Sequence, residues 1–187
     1  MEQKATNSKT AFLIMDMQSN FTPHIKESPT LLKNISSTIE KARQAKIPII
    51  YVVLGFRQGY PEASLNNKFF AAIKSSGFID MQVKPEIPSE IAPQNGDIIV
   101  NKLRASAFVG SDLEVILKSL EVNHLVLCGI ESSGVVLSTL REAADKDYKL
   151  TVLADCCADM EDEVHEFLIR KIFPKQAEVI QSSQWLA

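Results

Sequence analysis

Short apolar runs without polar alternation recur along the chain, and most are followed by a stretch whose apolar positions repeat at helical spacing. Ala11 to Met15 reads AFLIM and ends at Asp16, Ile49 to Leu54 reads IIYVVL, and Leu125 to Cys128 reads LVLC before Gly129. A run of this kind suits a parallel strand covered on both faces. Asp97 to Val100 (DIIV), Leu150 to Ala154 and Ala177 to Ile180 complete six predicted strands.

The helical stretches carry their own start and stop signals. Ser28 and Pro29 supply a cap and a first-turn proline for a face of Leu31, Leu32, Ile35, Ile39 and Ala42 that ends near Lys46, with Pro48 as the stop. Ser111 can cap a helix through Leu113, Ile116, Leu117 and Leu120. Ser133 to Asp145 and Glu161 to Lys171 are two further amphipathic helices, the second stopped by Pro174. Alternation of strands and helices predicts an α/β domain with a doubly wound, six-stranded parallel sheet and helices on both faces. Residues 1–10 read as a polar tail and 11–187 as a single domain, since 187 residues need no second core.

From Gly55 to Pro93 the pattern loosens around a short helical patch at Asn67 to Lys74. A connection this long in a compact domain is commonly a functional one. Arg57 and Tyr60 stand at its start, near the carboxyl end of the second strand.

Composition narrows the partners. The formal net charge of -3 gives no electrostatic reason to expect nucleic acid or an anionic membrane, which leaves a small molecule as the expected partner. The opening MEQKATNSKT has no apolar core, and no run reaches the ~20 residues of a membrane span, so neither signal peptide nor anchor is expected. Cys128, Cys156 and Cys157 make an odd count without ligand-like Cys/His spacing, which points to a reducing, cytoplasmic setting.

Candidate chemistry gathers at strand ends: Asp16 after the first, Lys102 after the third, and the Gly129 turn after the fourth. In a doubly wound sheet these ends lie along one edge, where ligands collect and helix N-termini hold anions. Taken alone, Asp16 and Lys102 would also serve as a cap and an ion pair. Together, however, LIMDMQ, VNKLRASAF and CGIESSGVVLSTLREAADKDY resemble the isochorismatase-like hydrolases, or cysteine hydrolase superfamily, which includes nicotinamidases and carbamoyl-amide hydrolases. The resemblance extends from Ala11 to Ile180.

The resemblance implies a Rossmann-like fold, a homo-oligomer and an Asp–Lys–Cys triad. Its aspartate is Asp16, its lysine Lys102, and its nucleophile should stand six residues after Gly129, where this chain has Val135. In cysteine members a thiolate at a helix N-terminus attacks an amide carbon, which valine cannot do. Cys128 reads as a small buried hydrophobe, and Ser132 and Ser133 do not match G-x-S-x-G; Ser132 reads as a helix cap. The resemblance further implies a cis peptide at Ile130–Glu131, with the N–H groups of Glu131 and Val135 forming an anion pocket.

Isochorismatases proper need no thiol, because a carboxylic acid can protonate a vinyl ether and water can add to the oxocarbenium carbon. Asp16 is the candidate acid if burial raises its pKa, while Lys102 would orient it, hold a substrate carboxylate or balance charge. Glu131 stands where the resemblance places a small residue. Gln18, Phe21, Arg57, Phe108, Gly129, Ile130 and Glu131 are the candidate substrate contacts, Arg57 as a partner for a carboxylate. Asp155 and Asp159 read as structural caps. No metal or other cofactor is expected: the histidines are His24, His124 and His165, without the Asp-x-His-x-x-His arrangement that nicotinamidases use. The expectation is a hydrolase of a small, carboxylate-bearing molecule that uses Asp16 and Lys102 in an acid or water-mediated reaction. The alternative is a catalytically silent relative that binds a small molecule or a protein.

Overall fold

A computed structural model describes residues 9–26, 28–76 and 86–186. Of the predicted tail it includes Lys9 and Thr10, residues 1–8 lying outside the described residues, as do residues 77–85 of the long connection. Six parallel strands form one sheet: β1 (Thr10–Met15), β2 (Ile49–Leu54), β3 (Ile98–Lys102), β4 (His124–Ile130), β5 (Lys149–Ala158) and β6 (Glu178–Ile180). Their order is β3-β2-β1-β4-β5-β6. The chain winds outward from β1 to one edge and then returns to β4 to wind toward the other. β1 and β4 therefore flank the topological switch point, where connections diverge and leave a crevice at the carboxyl edge.

The α-helices are α1 (Ser28–Gln44), α2 (Lys68–Ser76), α3 (Leu113–Ser119), α4 (Leu137–Asp145) and α5 (Asp162–Phe167). Leu31, Ile35, Ile39 and Ala42 of α1 are buried, the face its spacing predicted. All six residues of β2 and all seven of β4 are buried, as expected of strands covered on both sides. Among the described residues no helix is long and apolar enough to cross a membrane.

Three elements differ from the sequence reading in ways that shape the site. β3 continues through Lys102, which is thus the last residue of the strand and buried. The helix predicted from Ser133 begins as a wide π-type turn, Ser132–Val136, before α4. β5 runs to Ala158, four residues past its predicted end, because a bulge shifts its register with β4 between Leu127 and Gly129. Asp155 therefore lies within the strand, where its carboxylate accepts the backbone N–H and hydroxyl of Ser182, both at 2.7 Å. That pair fastens the C-terminal turn to the sheet.

A second, smaller apolar cluster lies beside the main core. Leu54, Phe56, Ala63, Phe70 and Ile73 bury one another, joined by Phe21, Tyr60 and Leu103. It seats α2 over the carboxyl end of β2.

Candidate active site

Asp16 immediately follows β1 with φ 55°, in the left-handed region that aspartate tolerates better than most residues. Its N–H is held by the Val52 carbonyl at 2.9 Å, so the turn is fixed against β2. Gln18 continues this attachment through its side chain, which accepts the Leu54 N–H at 2.7 Å and donates to the Leu54 carbonyl at 3.1 Å. A buried amide with both ends satisfied acts here as an extra rung between the loop and the strand.

Across the crevice, Lys102 Nζ lies 2.9 Å from Asp16 Oδ2 and donates to the Arg104 carbonyl at 2.8 Å. The lysine side chain is 1% exposed and that of Asp16 is 11% exposed. Burial pushes the Asp16 carboxyl upward, opposed by the nearby ammonium. Asp16 Oδ1 has no hydrogen-bond partner among the described residues, which is costly for a buried oxygen and uncommon in a folded chain.

The third side of the crevice is the end of β4. Gly129 pairs with Met15 and adopts φ 138°; a Cβ there would fall 2.1 Å from the Met15 carbonyl oxygen, so only glycine lets the two strands approach this closely. The peptide Ile130–Glu131 is cis, as the resemblance implied. Asp159 holds the turn that follows: its Oδ2 accepts the Ser133 N–H at 2.7 Å and its Oδ1 the Met160 N–H at 3.0 Å. Asp159 thus takes the capping role expected of Ser132. The Ser132 hydroxyl is turned toward β5, donating to the Ala158 carbonyl at 3.1 Å and lying 2.8 Å from His165 Nδ1.

These ends line a cavity of about 60 Å3 that opens to solvent, with Asp16, Lys102, Glu131 and Val135 all in its lining. Phe21 and Ile130 also line it. Phe69 and Met160 stand at the mouth, more than half exposed. Burial, Asp159 and Asp16 together push the Glu131 carboxyl upward.

Other predicted contacts lie elsewhere. Gln18 serves as the loop brace, and Gly129 acts through its backbone. Arg57 is exposed and paired with Glu62. Phe108 is buried in the main core and stacks on Tyr148 with ring centroids 6.1 Å apart. Cys128, Cys156 and Cys157 are buried and unpaired, and burial pushes the Cys156 thiol up to about 12, far from thiolate chemistry at neutral pH.

The sequence reading missed Ile25, Leu54, Phe69, Phe70, Ala105, Gly134 and Met160 of the lining. The adjacent Phe69 and Phe70 did leave a signal, an aromatic pair inside the helical patch of a connection already marked as functional. Phe70 is held by the Arg104 guanidinium 5.3 Å above its ring, and the same guanidinium donates to the Glu62 carbonyl at 2.9 Å.

A doubly wound parallel sheet with a buried Asp–Lys pair at its switch point defines the class. The chain belongs to the isochorismatase family of hydrolases, the isochorismatase domain matching residues 10–184. It is 32% identical over 167 residues to the isochorismatase family protein YwoC of Bacillus subtilis (strain 168), covering 89% of this chain and 87% of that protein. It is 30% identical over 175 residues to the ureidoacrylate amidohydrolase RutB of Azorhizobium caulinodans, covering 79% and 75%. The fold matches a cysteine hydrolase from Pseudomonas syringae pv. phaseolicola 1448A with a TM-score of 0.84 at 22% identity, covering 95% of this chain and 91% of that one. N-carbamoylsarcosine amidase from Thermoplasma acidophilum matches with a TM-score of 0.77 at 24% identity, covering 94% and 98%.

Proposed function

We propose that this hydrolase cleaves a small molecule without a covalent nucleophile, with water as the attacking group and Asp16 moving the proton. The observation that carries this reading is Asp16 itself, a lining residue of the cavity: one carboxyl oxygen is held by Lys102 and the other is buried with no partner among the described residues. A carboxyl whose ionisation is pushed upward by burial holds a proton to higher pH than an ordinary aspartate, which suits it to proton transfer. Lys102 spends two of its three N–H donors on Asp16 and the Arg104 carbonyl. Its third is available to polarise a substrate oxygen.

Val135 lines the cavity at the position that the family resemblance gives to the nucleophilic cysteine, and it supplies an apolar wall there. In this reading the substrate is small, with an apolar part against this wall. The carboxylate expected from the sequence would have Lys102 as its only cationic contact among the described lining residues, through the one N–H that Asp16 and the Arg104 carbonyl leave. The relatives named as amidohydrolases and amidases make hydrolysable amides the first substrates to offer, with vinyl ethers second.

The test is a mass-spectrometric turnover screen of both panels with wild type and Asp16→Asn side by side. Turnover that disappears in Asp16→Asn supports the reading. Turnover that persists in the variant places the proton transfer elsewhere, and absence of turnover across both panels favours a binding role for the cavity.

A further inference from the structure

The cavity contains one carboxyl more than its ion pair uses. Asp16 and Lys102 are in contact and compensate each other, whereas the half-buried Glu131 carboxyl is in no ion pair among the described residues. Its carboxyl lies over the first turn after β4, with Oε2 3.6 Å from the point where a Cβ on Gly134 would stand. Asp159, which caps that turn, adds a further negative charge behind it. The one cation among the described lining residues is Lys102, and the remaining walls are apolar or aromatic.

A half-buried carboxyl that no side-chain cation compensates gives an apolar-walled cavity a negative potential, which a bound cationic donor would offset. The group that would do so here donates N–H bonds and carries positive charge. It would face Glu131, and Asp16 and the aromatic Phe21 and Phe69 line the same cavity. A carboxylate would bring only acceptors and a like charge to the same place.

We propose that Glu131 is the specificity-determining residue of this cavity, selecting ligands that carry a cationic N–H group, of the ammonium or amidinium class, over carboxylates of the same shape. The inference rests on the cavity being the ligand site, as the proposed function has it, and it is independent of which bond is cleaved.

The experiment uses three probes that share one ring and differ in charge: benzylamine as its ammonium, benzyl alcohol and benzoate. Their binding to the full chain is measured by ligand-observed NMR titration at pH 8, with wild type, Glu131→Gln and Glu131→Ser. In wild type, benzylammonium is expected to bind at least tenfold more tightly than benzoate, with benzyl alcohol between them. In both variants the ratio should fall to threefold or less, while benzyl alcohol changes by less than twofold. Benzoate binding as tightly as benzylammonium in wild type overturns the inference and leaves the hydrolase reading intact. A ratio unchanged in the variants also overturns it, because the selection would then come from other groups. Failure of all three probes to bind also overturns the inference, and the hydrolase reading is then decided by the turnover screen alone.

Discussion

The two edges of the sheet treat buried polar groups in opposite ways. At the amino edge His124 lies 3.1 Å from the Thr10 hydroxyl through Nδ1 and 2.9 Å from the Thr151 hydroxyl through Nε2, joining β1, β4 and β5 with both ring nitrogens partnered. At the carboxyl edge Asp16 keeps an oxygen without a partner among the described residues, and Gly129 occupies a backbone conformation that other residues rarely adopt. A satisfied network stabilises a fold. An unsatisfied one costs stability, and its retention at a cavity marks the place where a ligand completes it.

Substitutions at the two edges should therefore fail differently. The largest effect is expected from Asp16→Asn, which keeps the shape and removes the transferable proton. Turnover per folded molecule should fall about 10²- to 10⁴-fold, equivalent to about 3–5 kcal/mol of barrier. Stability falls as well, because the change leaves the Lys102 ammonium buried without its counter-charge; turnover per folded molecule equal to wild type would make Asp16 structural and dissolve the contrast between the edges.

Gly129→Ala is next. The added methyl would meet the Met15 carbonyl at 2.1 Å in a strained backbone conformation. Strand displacement of this kind should cost about 3 kcal/mol, read from the shift of the urea midpoint, and turnover should fall with it because β1 carries Asp16. An unfolding curve identical to wild type would mean that the two strands can separate freely at the site.

At the amino edge His124→Leu should cost about 1–2 kcal/mol by depriving two hydroxyls of their partner, with turnover per folded molecule unchanged. Loss of turnover without loss of stability would show that the two edges are coupled.

The smallest effect is a pH dependence of that same difference. Burial and Lys149 hold the His124 imidazole below its ordinary 6.5, so the unfolded chain takes up this proton at higher pH than the folded one. The stability linked to His124 is therefore complete above 6.5 and is lost as pH falls through that value. Asp16 and Glu131, pushed upward, act with the opposite sign, and comparison with His124→Leu cancels their contribution. The stability gap between wild type and the variant should narrow from about pH 7.5 to pH 5, measured by urea unfolding. A gap that widens would mean that protonated His124 is the better-held form.

Much of this could be read from the chain. Unbroken apolar runs such as IIYVVL have only one economical place, the interior of a parallel sheet, and β2 spans the six residues predicted. Asp16, Lys102 and the Gly129 turn were placed on one edge because strand ends in this topology must converge there, and Asp16 and Lys102 meet at 2.9 Å. Arg57 and Phe108 show where such reasoning stops. Both occupy suitable positions in the order of the chain, yet Arg57 pairs with Glu62 in its own loop and Phe108 is drawn into the core against Tyr148.

Sequence by itself determined the layer architecture, since apolar periodicity and burial are the same fact seen in one and three dimensions. It also marked which residues could carry chemistry. Tertiary structure alone decided what those residues became. The bulge that lengthens β5 and places Asp155 within a strand depends on pairing with β4. The lack of a partner for Asp16 Oδ1 depends on every group that failed to reach it, and the aromatic wall of Phe69 and Phe70 depends on α2 packing across the end of β2. Each is a relation between residues distant in sequence, fixed by packing and hydrogen bonding that no local pattern records.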